Sequence, residues 1–195
     1  MTLTLRIKGD GIDRLQKAIR VLGDKKARLA YRMAVNQAGR DTKVATSRAL
    51  SAQTGLKKKT TTKALKETKA SASTLEYRLE GKGGDISLKH FSPRETRKGV
   101  SANPWGRREV GAGTFMKAGW FPKRVTKSNW NGQVFSRAGG KTEKMDRFSK
   151  EKSGLFIPVE MVKGATAKTF EDVGLKKLDE KVLYQIKRAT KGMIS

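Results

Sequence analysis

The chain has 195 residues, 44 of them Lys or Arg against 18 Asp or Glu, for a formal charge of +26 at pH 7, and no cysteine. This composition excludes a disulfide framework, a cysteine-built zinc site and a thiol nucleophile, while its strong positive field attracts nucleic acid, anionic lipid or acidic protein without choosing among them. Hydrophobic residues at 36% against 32% charged predict one domain over residues 1–195, with a thin core that neighbouring subunits help to cover.

Met1 to Lys8 lacks the apolar run of a signal peptide, and no stretch approaches the roughly 20 apolar residues of a membrane span. The expectation is a soluble protein made in a cytoplasm, with no membrane partner. Ile12, Leu15, Ile19 and Leu22 then recur at helical spacing and Gly23 ends the run, which predicts a short amphipathic helix. From Asp24, read as an N-cap, to about Ala52 there is no proline and only Gly39 interrupts a run of good helix formers, so a long helix follows. Its small residues Ala27, Ala30, Ala34, Ala38, Ala45 and Ala49 form a stripe suited to close packing, with Tyr31, Arg32, Arg40, Lys43 and Arg48 assigned to other faces. Leu56 to Lys66 predicts a second short helix crowded with lysines, so residues 12–66 read as helical.

The period changes at Leu75, Tyr77 and Leu79, which alternate with polar residues as do Ile86 and Leu88. With Gly81-Lys82-Gly83-Gly84-Asp85 between them, these predict a β-hairpin. Between Ser92 and Gly154, Gly, Pro, Ser and basic residues surround isolated aromatics. An unstructured loop of that length is improbable in a domain, so strands are expected near Gly113–Lys117 and Gln133–Arg137 with extended arms between them. Leu155 to Val162 is the most apolar run, and Pro158 marks it as an edge strand or a broken one. Phe170, Val173, Leu178, Val182, Leu183, Ile186 and Ala189 predict a helix over 166–190, with Gly174 a weak point and Gly192 a stop. With 75–163 mainly β, the fold expected is α+β: an antiparallel sheet covered by the long N-terminal helix and the C-terminal helix, with extended loops or arms.

Few residues offer chemistry. Gly140-Lys141-Thr142 resembles the end of a phosphate-binding loop but lacks its earlier glycine, since Phe135 stands there. His90 is the sole histidine, which excludes a two-histidine metal site and leaves a general base or a surface strand residue, the surface reading being preferred. Asp85, Glu95, Glu109, Glu143, Asp146 and Glu151 are scattered without the spacing of a metal-dependent nuclease. No enzyme activity and no cofactor are expected. Lys57, Lys58, Lys59, Arg94, Arg97 and Lys98 offer point charges for non-specific, salt-dependent contact with DNA, without a base-reading element. Trp105, Trp120, Phe121 and Trp130 lie outside periodic segments and are candidate subunit contacts rather than base-stacking residues.

Ala30-Tyr-Arg-Met-Ala-Val-Asn-Gln-Ala-Gly-Arg-Asp-Thr, leading to Gly55-Leu56-Lys57-Lys58-Lys59, resembles the N-terminal part of the phage minor tail protein Z family of tail completion proteins. There too an Ala-rich helix with an Ala-x-Asn element leads into a short basic segment. Phe91 to Val100 looks like the family's central segment. Ala112 to Phe115, Val134 to Arg137 and Phe156-Ile157-Pro158-Val159 with the terminal helix complete the same order. The resemblance implies a non-catalytic virion protein at the head-proximal end of a long tail, made in the host cytoplasm. It implies a homo-oligomeric ring, sixfold to match the tail, between the tail terminator and the head-tail connector, with a hole for DNA. The other readings are a basic nucleic-acid-binding protein and a different neck protein, a head-tail adaptor or tail terminator.

Overall fold

The computed structural model describes residues 1–7, 10–137 and 148–191. Gly140 to Thr142, Glu143, Asp146 and the expected stop at Gly192 lie outside them. The fold is α+β with antiparallel strands. Strand β1 (Thr2–Arg6) precedes helices α1 (Asp10–Leu22), α2 (Asp24–Thr54) and α3 (Lys58–Ala64). Strands β2 (Leu65–Thr68), β3 (Glu76–Gly81) and β4 (Asp85–Ser87) follow, so the helical stretch expected to reach Lys66 ends at Ala64. Next come β5 (Arg94–Glu95), β6 (Gly99–Ala102), β7 (Glu109–Ala112), β8 (Phe135–Arg137), β9 (Phe148–Lys150) and β10 (Lys152–Phe156). Helices α4 (Ile157–Met161) and α5 (Gly164–Ala189) complete the order.

α1 and α2 meet at a corner made by Gly23 alone, whose φ of 78° suits a residue without Cβ. The corner makes Gly23 the N-cap, so Asp24 is not the cap that the sequence suggests. Asp24 is already helical, where its charge favours the first turn and its Oδ1 accepts from Arg28 Nε at 2.8 Å. α1 folds back over α2 and thereby buries Tyr31, assigned above to a face other than the alanine stripe. The Tyr31 hydroxyl donates to the Gly11 carbonyl at 3.2 Å.

Ala27, Ala30, Ala34 and Ala38 are fully buried, whereas Ala45 and Ala49 are only half-buried. Further along, Thr42, Thr46, Leu50 and Thr54 at four-residue spacing take over the buried line. Each threonine satisfies its hydroxyl on the carbonyl four residues back, at 2.6–2.8 Å. This line faces α5, where Gly174 is a point of close approach rather than a weak point: a Cβ there would lie 3.1 Å from Leu5 Cδ1 and 3.5 Å from Thr42 Cγ2. Leu183 and Ala189, expected on the packed face, are exposed.

The expected hairpin does not form. β3 is the centre of a sheet ordered β1-β3-β2, with Leu5 opposite Tyr77 and Leu65 opposite Gly81. Its alternation puts Tyr77, Leu79 and Gly81 inward, Tyr77 against Gly39 of α2 and Gly81 against Pro158 and Met161 of α4, while Arg78 and Glu80 face out. β4 instead leaves this sheet and pairs with β10. Pro158 starts a helix rather than breaking a strand, because a first-turn residue needs no N–H donor. The strand expected at Gly113–Lys117 is reduced to a bridge between Phe115 and Phe135. The regular strand there is β7, whose residues are all exposed and so show no alternation to read.

Gln53 ties the end of α2 to the start of α5. Its Oε1 accepts from the Thr166 N–H at 3.0 Å and lies 2.8 Å from the Thr166 hydroxyl, while its Nε2 donates to the Glu160 carbonyl at 3.1 Å and to Glu160 Oε2 at 2.9 Å. Lys163, the N-cap of α5, supplies no side-chain bond, so Gln53 does that work from another helix. Gln53→Ala is expected to lower unfolding free energy by about 1–2 kcal/mol, in the range of a lost cap and its companion bonds. Urea denaturation measures it; an unchanged midpoint would mean that solvent satisfies the first turn of α5 equally well.

Candidate partner-binding surfaces

α3 carries three consecutive threonines, poor helix formers, and is held by tertiary bonds. Thr61 Oγ1 lies 3.0 Å from the Ser47 carbonyl, 3.0 Å from the Lys58 carbonyl and 3.0 Å from the Ser47 hydroxyl, which also reaches Thr62 Oγ1 at 2.6 Å. With Thr61 buried against α2, Lys57, Lys58, Lys59 and Lys63 are left exposed. The start of this basic segment is fixed by Gly55. Its φ of 75° ends α2, its N–H reaches the Ser51 carbonyl, and a Cβ would meet the Asn103 carbonyl oxygen at 2.7 Å.

Arg97 and Lys98 form the exposed tip of the tight β5–β6 hairpin, closed by the Thr96 N–H on the Gly99 carbonyl at 2.8 Å. Arg94 is exposed on β5, but its neighbour Glu95 turns inward and pairs with Arg124. That ion pair anchors the loop 118–125, whose ends are joined by reciprocal bonds between Ala118 and Val125 at 2.8 and 2.9 Å. At the loop's far end Trp120 is 85% exposed and Phe121 45%. Trp105 is 43% exposed, in a 3-10 turn (Pro104–Gly106) beside α2, with a left-handed φ of 50°.

Trp130 differs from the other three candidate contact residues, because an internal cluster takes it. Its ring lies 5.1–6.1 Å from those of Phe115, Phe135 and Phe148, which also pack on one another. Trp130 is half-buried there, so Trp105, Trp120 and Phe121 remain as outward-facing aromatics.

The six charges singled out from sequence do not gather at one place. Lys57 joins Lys89 and His90 around a concavity of about 540 Å³, lined also by Ser92 and Asn131. Lys59 joins Lys63, Lys82 and His90 around a second, of about 330 Å³. Arg94, Arg97 and Lys98 line neither. Sequence reasoning missed Lys63, Lys82 and Lys89, and it read His90 as a strand residue although it ends a 3-10 turn (Leu88–His90). No local pattern links residues 57–63 to 82–90; β2 and β3 lie between them, and only the fold brings them together. Partial shielding of the His90 ring from water, then the charges of Lys89 and Lys57, hold its pKa below the ordinary imidazole range.

Two of the scattered carboxylates serve structure: Asp85 accepts from the Gly154 N–H at 2.8 Å, and Glu95 is the buried partner of Arg124. Among the described residues no group of three or more His, Cys, Asp or Glu is placed to hold a metal ion, and no helix is long and apolar enough to cross a membrane. Compared with models of known protein families, with curated proteins and with solved structures, the chain matches none.

Proposed function

We propose that this chain is a structural, non-catalytic protein of a tailed-phage particle, a tail completion protein that forms a ring in the neck between the tail terminator and the head-tail connector. The observation that carries the reading is a surface suited to neighbours. Trp120 and Phe121 stand at the end of an anchored loop, where burial against a neighbouring subunit would remove large apolar rings from water.

The resembling segments have structural work consistent with a shared scaffold. Asn36 of the Ala-x-Asn element holds Ala70 from both sides, donating to its carbonyl at 3.0 Å and accepting from its N–H at 2.8 Å. Phe156-Ile157-Pro158-Val159 is the junction from β10 into α4. The sixfold number comes from the family resemblance; a ring follows from any repeated head-to-tail contact that closes by rotation.

Trp120→Ser is expected to leave stability within about 0.5 kcal/mol, as for other surface positions, while lowering the yield of completed, infectious particles. A map of the assembled particle tests the placement directly. A sixfold ring at the head-proximal end of the tail is the expected result; a monomer, or a twelve-membered collar, would overturn it. A free-standing basic nucleic-acid-binding protein, the second reading, predicts no place in the particle at all.

A further inference from the structure

We infer that the two concavities flanking His90 form one seat for the phosphodiester backbone of a nucleic acid. Lys57 and Lys89 line one concavity with His90 and Lys59, Lys63 and Lys82 line the other with it, and among the described residues no Asp or Glu lines either. Of these five lysines only Lys82 has an ion-pair partner, Glu80 at 3.4 Å; Lys57, Lys59, Lys63 and Lys89 have none among the described residues. The chain spends its carboxylates elsewhere, on Arg6, Arg28, Lys43, Arg78, Arg124, Lys177 and Lys181.

Four ammonium groups without a carboxylate partner among the described residues surround the two concavities, and they repel each other. A duplex, with one charge per about 1.7 Å of axis, supplies anions to both concavities at once. Isolated carboxylates of an acidic protein match that spread less well, and among the described residues no arginine, whose fork pairs bidentately with carboxylates, lines either concavity. The His90 imidazolium is disfavoured first by partial burial and then by the charges of Lys89 and Lys57. Lysines give no base readout, so the seat is indifferent to sequence. The neck reading supplies DNA as the natural ligand; the seat itself rests on the lysines.

Because His90 is the only histidine, its imidazole C–H signals report this site alone. The full chain is titrated by NMR with a short DNA duplex, with single-stranded RNA of equal length and with poly-glutamate. Duplex DNA is expected to raise the His90 pKa, because phosphates favour the imidazolium, and the rise should vanish at high salt. Lys57→Ala with Lys89→Ala, and separately Lys59→Ala with Lys63→Ala, should each reduce the salt slope of log affinity by about 2. These lysine side chains lie outside the core, and circular dichroism confirms that the variants fold. Lys25→Ala with Lys26→Ala, exposed on α2 and in the lining of neither concavity, should leave the His90 response intact.

Failure to bind at low salt, DNA binding with His90 unmoved, or unchanged affinity in both lysine pairs would overturn the seat. An equal response to poly-glutamate would assign it to acidic protein and equally overturn the inference. Tighter binding to RNA would uphold a phosphodiester seat while counting against DNA passage, so the fate of the seat and that of the neck reading are read separately.

Discussion

Gly39→Val is expected to cost about 3 kcal/mol of unfolding free energy or more, enough to remove much of the stability of an ordinary domain. A Cβ at position 39 would lie within 2.6 Å of three atoms of the Tyr77 ring. The ring has nowhere to retreat. It is fully buried beneath α2, and its hydroxyl donates to Glu67 Oε2 at 2.5 Å, a carboxylate also 3.5 Å from Lys43 Nζ. The Tyr77 bond, then Lys43, hold the Glu67 carboxyl below its usual range despite some shielding from water. Valine gains only a few tenths of a kcal/mol of helix propensity over glycine, so the clash decides the sign. Tyr77→Ala alone should cost about 3–5 kcal/mol through its cavity. The double variant should be far less damaged than the sum, because the valine enters the space the ring leaves. Denaturation of the three variants measures this; strict additivity would show that the two residues do not touch as described.

Phe115→Ala is expected to cost about 3 kcal/mol or more, and to spend most of it locally. Phe115 lies 5.0 Å from Phe148, 5.9 Å from Trp130 and 6.1 Å from Phe135, and its backbone forms reciprocal 2.8 Å bonds with Phe135. These rings form a satellite apart from the main hydrophobic cluster, which runs through β1, β3, α1, α2, α4 and α5. Without Phe115, amide exchange should accelerate in 113–137 while α2 and α5 stay protected. Uniform acceleration across the chain would mean that the satellite and the main core unfold as one unit.

How much of this was legible depended on how far apart the contacting residues lie. α1, α2 and α5 announce themselves through local apolar periodicity, and the burial of Ala27, Ala30, Ala34 and Ala38 follows from the same pattern. Thr2 to Leu5 alternates too, but over too few residues to declare a strand, and its partner β3 lies some 70 residues away. Tyr77 and Leu79 were recognisable as strand residues, yet their pairing with β1 and β2 rather than β4 is a tertiary choice. Pro158 reads the same whether it breaks a strand or opens a helix. At the candidate surfaces, exposed Trp120 and Phe121 were foreseeable from their Gly- and Lys-rich setting. The capture of Trp130 by three phenylalanines spread over 115–148 was not. The basic seat was half visible: Lys57 and Lys59 stand in an evident run, whereas Lys89 and His90 gain meaning only beside them.

The pairing of α2 with α5 sets a timetable for synthesis. α2 ends at Thr54 and α5 begins at Gly164, about 110 residues later. At about 5–20 residues per second, the alanine and threonine face of α2 waits about 5–20 s after leaving the ribosome before its partner exists. Contacts so distant in sequence are also slow to close. During that wait the nascent chain presents a small-residue helix face beside its dense positive charge. A chaperone that shields this face until α5 emerges would raise the folded yield without touching the finished protein.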